Sequence, residues 1–308
     1  MSDAMIIVLT AGLTATALAL LGPFLVLRRV ALMGDAVSHA VLPGIVAAFL
    51  VFQTRAPLVV ILGAAAFALI CVLAIEALRG TGLVASDAAI GLVFPALFAL
   101  GVLGIHRYAA NIHLDLDSTI YGEIAFAPFR TLDLGGVEVV RSVLIMGVVA
   151  AVNLGLITLL WKELKVTSFD PDFARSIRFS PTVVARLLLI AVAVTAVTAF
   201  ESVGAILVVA LLIVPAAAAY LMTDRLVAMV AIAVAIGWVS SVVGYAGAVE
   251  VDASIAGAMG LTAAVIFGIA LLASPRHGLI ARAVRRARTR RAVERALAEE
   301  RGAQGAGA

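Results

Sequence analysis

Long apolar runs separated by short polar breaks set the pattern of this chain. They fall at roughly 5–27, 36–53, 57–78, 88–105, 138–161, 183–199, 202–222, 226–247 and 254–273. A helix needs about 17–25 apolar residues to cross a bilayer, and in lipid the backbone must satisfy its own hydrogen bonds, so each run predicts a membrane helix. The run at 183–199 is short, and only Phe200 and Glu201 separate it from the next. One of these two therefore reads as re-entrant or broken, and eight spans is the alternative to nine. The first run is too long for the core of a cleaved signal peptide and has no basic segment before it, so it reads as a retained helix.

Composition agrees with the pattern. The 308 residues are 64% hydrophobic and 13% charged, where soluble domains average about 45–50% and about 25%. The chain reads as an all-α polytopic membrane protein, with a membrane domain over 1–275 and a basic tail over 276–308. Cys71 is the single cysteine, which excludes intrachain disulfides and thiolate metal clusters.

Charge gives the orientation. With nine helices, Arg28, Arg29, Arg79, Lys162, Lys165, Arg175, Arg178, Arg186, Arg225 and the nine arginines of the tail fall on one side, leaving only Arg55, Arg107, Arg130 and Arg141 of the 22 basic residues on the other. Basic residues collect on the cytoplasmic side, so the C-terminus is expected there. The tail, with nine arginines against three glutamates, carries a net charge of +6, so the rest of the chain sums to −3. It reads as a solvated arm drawn weakly to anionic lipid rather than as a nucleic-acid binder.

The stretch Arg28–Gly44, RRVALMGDAVSHAVLPG, carries chemistry inside oily sequence. Asp35 and His39 stand four apart, which puts them on one helical face. Ionisable groups at membrane depth are costly and usually face a bundle interior or an ion path. Pro43 lacks an N–H, which frees the His39 carbonyl. The plainer alternative makes Asp35 a cap of the second helix and His39 a first-turn residue near the headgroups.

Other polar segments follow in order. The outer-side segment 106–136 holds His106, His113, Asp115, Asp117, Glu123 and Asp133, either a cation-gathering or partner-binding cluster or an ordinary solvated loop with a short interfacial helix. In the inner loop 162–182, Asp170 is placed as an N-cap, Pro171 at the first helical position and Asp172 near the positive helix end, with Phe173, Ala174 and Arg175 following. Glu201 stands at the start of the run that ends in Pro215 and four alanines, where Pro215, like Pro43, is a kinking device. Glu201 belongs either to a pathway mouth or to the membrane boundary, and Glu76 and Asp87 read as structural groups around Arg79. No phosphate-binding G-x-x-x-x-G-K-[ST] loop, H-E-x-x-H, G-x-S-x-G or dinucleotide fingerprint is present.

Six stretches in order, GDAVSHAVLPG, SDAAIGLVF at 86–94, DLDSTIYGEI, FDPDFA, ESVGAILVVALLIVP and SPRHG, resemble the signatures of the ABC-type divalent metal permeases. That resemblance implies a membrane subunit of a manganese, zinc or iron importer in the bacterial plasma membrane, without ATPase activity of its own and with no permanently bound cofactor. It implies three protein partners: an ATP-binding subunit docked at 162–182, an extracytoplasmic metal-binding protein, and a second permease copy or homologue. It points to Asp35 and His39 as metal ligands, with Asp115, Asp117, Glu123 and Glu201 as remote candidates. Two positions depart from the family pattern: Ser118 replaces a frequent His, and Arg178 replaces a usual Gly. The donors are oxygen and imidazole, which fits manganese, iron and zinc and disfavours soft ions. YGEIAFAPF and ESVGAILVV look most like the manganese-type branch. The second reading is a stand-alone ion-coupled carrier, whose class shows related halves and more intramembrane carboxylates.

Overall fold

The computed structural model describes residues 2–54, 56–108, 124–133, 138–274, 278 and 281. Among them are nine helices long and apolar enough to cross a membrane. They are α1 (Asp3–Leu27), α2 (Met33–Phe52), α3 (Pro57–Gly80), α4 (Ser86–Tyr108), α5 (Arg141–Leu159), α8 (Pro181–Val203), α9 (Ala205–Met222), α10 (Leu226–Val251) and α11 (Ile255–Ala273). Two short helices, α6 (Trp161–Phe169) and α7 (Pro171–Ser176), lie between α5 and α8.

The eight-span alternative fails at one residue. α8 does not stop at Phe200 and Glu201 but runs 23 residues to Val203. The break falls at Gly204, whose φ of 85° and ψ of 156° define a conformation open essentially to glycine alone. Glu201 thus closes α8 instead of opening α9, and both helices are full spans.

α1 is the central post. Ala11, Ala15, Leu18, Leu21 and Phe24 have no exposed surface, and the helix is enclosed by α5, α8, α9 and α10. A helix apolar all round belongs in such a position. Its few polar side chains serve as ties. Asn153 Nδ2 donates to the Ala17 carbonyl at 3.0 Å and to Thr195 Oγ1 at 2.8 Å. Trp238 Nε1 donates to Thr16 Oγ1 at 3.0 Å, and the hydroxyls of Thr10 and Ser142 meet at 3.3 Å. Such interhelical bonds contribute on average about 0.6 kcal/mol each.

α2, α3 and α4 form a second group packed on α8 and α9. Here the contact depends on missing side chains. A Cβ at Gly44 would meet the Gly63 backbone, and one at Gly63 would meet Ala48, so α2 and α3 approach backbone to backbone, as small residues allow. At the end of the bundle away from Arg28, a 3-10 turn (Ile124–Phe129) and a two-stranded antiparallel ribbon (β1 Thr131–Asp133, β2 Glu138–Val140) close over α1. Ile124 and Ala127 are buried, so this part of the polar segment is a packed cap rather than a solvated loop.

Candidate metal site and coupling segment

Asp35 lies in the first turn of α2, where the partial positive charge of the helix start favours a carboxylate. Yet that start is deep in the bundle. The Ala36 carbonyl accepts from Cys71 Sγ at 3.7 Å, and Cys71 stands nine residues, about 13.5 Å of helix, from the Gly80 end of α3. His39 packs on Phe94, eight residues or about 12 Å into α4. A Cβ at Gly34 would occupy the place of the Leu212 side chain, seven residues or about 10.5 Å into α9. Three neighbours therefore put the pair about two turns inside the ends of α3, α4 and α9 rather than level with them.

His39 Nε2 and Asp35 Oδ1 are 3.7 Å apart, and the side chains are 44% and 45% exposed. The gap is too long for a hydrogen bond. It suits two donors to one ion, since ligands about 2.1 Å from a common centre stand roughly 3.0–3.7 Å apart at angles of about 90° to about 120°. The imidazole plane is set by two rings. Phe94 stacks on it at 5.2 Å and 23°, and Phe98 meets it edge-on at 5.6 Å and 85°. Offset stacks and edge contacts are the favourable geometries for such rings. Gly101 extends the same stripe of α4, its Cα against Pro43. The sequence reading gave Phe94 and Phe98 no role. Their signal was the four-residue spacing, which puts both on one face.

The other candidates are not brought to this pair. Glu201 is bound to Arg141 at 3.0 Å, and both line a small cavity with Arg130, Ser142 and Phe126 beneath the cap. His113, Asp115, Asp117 and Glu123 lie outside the described residues. Among the described residues no three His, Cys, Asp or Glu side chains cluster to hold a metal; Asp35 and His39 stand as a pair on a half-open face. Pro43 and Pro215 stand inside α2 and α9.

In the segment 162–182 the local rules hold. Asp170 Oδ1 accepts from the Phe173 N–H at 2.9 Å, Pro171 takes the first helical position, and Arg175 pairs with Asp172 at 2.6 Å. Phe169 and Phe173 are 58% and 54% exposed, whereas Ala174 is fully buried. Arg178 adopts a left-handed φ of 66°, the conformation glycine takes most readily after a helix; the chain therefore keeps the glycine geometry without the glycine. Arg28 reaches from the α1–α2 turn to this region, donating to Ser168 Oγ at 3.0 Å and Thr167 Oγ1 at 2.6 Å. The segment 162–182 and the α1–α2 turn are thus hydrogen-bonded together.

Known membrane proteins resemble this chain along most of its length. The chain is 45% identical over 276 residues to the zinc transport system membrane protein TroD of Treponema pallidum, covering 90% of this chain and 75% of that one. It is 41% identical over 280 residues to the manganese transport system membrane protein MntD of Bacillus subtilis, covering 91% and 95%. The solved structure of PsaBC from Streptococcus pneumoniae in complex with Fab superposes with a TM-score of 0.70 at 32% identity, covering 89% of this chain and 92% of that one. The model of the ABC 3 transport family matches residues 1–274, and this multi-pass membrane protein belongs to that family.

Proposed function

We propose that this chain is the permease subunit of an ATP-binding-cassette importer that carries a divalent transition-metal ion into the bacterial cytoplasm. The observation that carries the reading is the Asp35–His39 pair, set at membrane depth on a face half open to its surroundings. Two copies, or one copy and a homologue, facing each other there would supply two carboxylates and two imidazoles, a set suited to manganese, iron or zinc. The surplus of basic residues favours an orientation with the Arg28 end and the C-terminus on the cytoplasmic side of the plasma membrane. The chain itself hydrolyses no ATP, holds no resident cofactor and takes the ion only as cargo. A separate ATP-binding subunit docks on α6 and α7, and an extracytoplasmic metal-binding protein docks near the cap.

Among the three metals we favour manganese, on the YGEIAFAPF and ESVGAILVV stretches and on the relatives named for manganese. A strain lacking the gene will then hold less manganese at unchanged zinc by elemental analysis. Zinc or iron depletion at normal manganese reverses the choice of metal, and no change in manganese, zinc or iron removes the permease reading.

Docking is tested at the exposed aromatic. Phe173→Asp is expected to lower transport by an order of magnitude or more while metal still binds, because a charge replaces an apolar contact. The crosslinking probe belongs at Phe173 or Asp172, since Ala174 is buried. Normal transport by the Phe173 variant, with no crosslink from either position, excludes this surface.

A further inference from the structure

We infer that the chain holds the phosphate of an anionic phospholipid in a basic cavity at the Arg28 end of the bundle, on the orientation given above. The cavity measures about 560 Å³ and lies where α1, α3, α6, α7 and α8 begin or end. Arg28, Arg29, Arg79 and Arg186 line it, with Glu76 as the one acid among the described residues. Glu76 is committed to Arg186 at 3.0 Å. Burial lowers the pKa of Arg28, and the Glu76 charge opposes that shift; its guanidinium already bonds Thr167 and Ser168. Arg29 and Arg79 have no ion-pair partner among the described residues. Net positive charge of this density repels a metal cation, so the cavity is not a branch of the ion's route. It is matched instead to a doubly bonded, fork-accepting anion such as phosphate.

A lipid is favoured over a soluble anion by position. The cavity sits at the ends of three membrane helices, the level of the headgroups, and basic pockets between helices on the cytoplasmic side suit anionic headgroups. One turn further into the membrane, α3 presents Leu73, 42% exposed, to an acyl chain.

The test uses the purified full chain, delipidated and then supplied with equal phosphatidylglycerol and phosphatidylcholine, and read by native mass spectrometry. The parent is expected to retain phosphatidylglycerol preferentially. At about fivefold per arginine near the surface, Arg29→Gln with Arg79→Gln should cut that preference about thirtyfold, and each single variant should cut it in part, so a double variant that misfolds does not remove the test. Equal retention of both lipids by the parent overturns the proposal. So does an unchanged preference in the variants, displacement of the lipid by millimolar inorganic phosphate, which identifies a soluble anion, or its expulsion by the ATP-binding subunit, which identifies an acidic protein surface. Lipid retention is read without any transported ion, so its failure leaves the permease reading to stand or fall on uptake.

Discussion

Replacing Asp35 or His39 by alanine is expected to abolish metal uptake while leaving the protein in the membrane. Each variant removes one of the two donors proposed for the ion, and loss even of a group that only orients a ligand costs about ten- to a hundredfold in metal affinity or activity. Neither substitution threatens the fold by overpacking, since both side chains are nearly half exposed. His39→Ala additionally leaves Phe94 and Phe98 without the ring they flank, so its deficit should equal or exceed that of Asp35→Ala. Uptake at limiting metal, beside an immunoblot of the membrane fraction, decides the matter. Near-normal uptake by either variant removes the assignment, and absence of the protein from the membrane is met by Asp35→Asn, which keeps the shape and removes the charge.

Gly44→Val is expected to prevent the protein from accumulating. A side chain there has no space, because the Gly63 backbone of α3 occupies it. Overpacking typically costs about 1–3 kcal/mol, and more where backbone must move. Gly91→Ala is the control: nothing lies near its added methyl group, and alanine favours the helix by about 1 kcal/mol. The measurement is the amount of folded protein extracted from membranes and its melting temperature. Equal yields for the two variants would mean that the α2–α3 approach is looser than the structure shows.

The helices were legible because lipid leaves the backbone no alternative, and α1, read at 5–27, runs Asp3–Leu27. The start of α7 was legible for a local reason: an aspartate, a proline and the third amide suffice to build a cap. The end of α8 was not. Phe200 and Glu201 look like a polar interruption, but a single carboxylate is accommodated by pairing with Arg141, and only the backbone angles reveal Gly204 as the break. Depth was equally hidden. Gly34 before Asp35 describes a helix start at any level of the membrane, and the level follows only from where Leu212, Cys71 and Phe94 sit on other helices. Phe94 and Phe98 were missed because their four-residue spacing marks a shared face of α4 but not which side chain of another helix that face meets.

The polar ties around α1 have a consequence for motion. Asn153 rivets α5 to α1 and α8, and Trp238 rivets α10 to α1. Where α2 and α3 meet α8 and α9, the described contacts are apolar side chains such as Leu212 against Gly34, together with the Glu76–Arg186 pair at one end. Bolted joints and greased joints thus fall on different seams. A shift of the three-helix group against the rest strains one ion pair and breaks none of these rivets. In such a shift the carboxylate and imidazole would travel with the three-helix group.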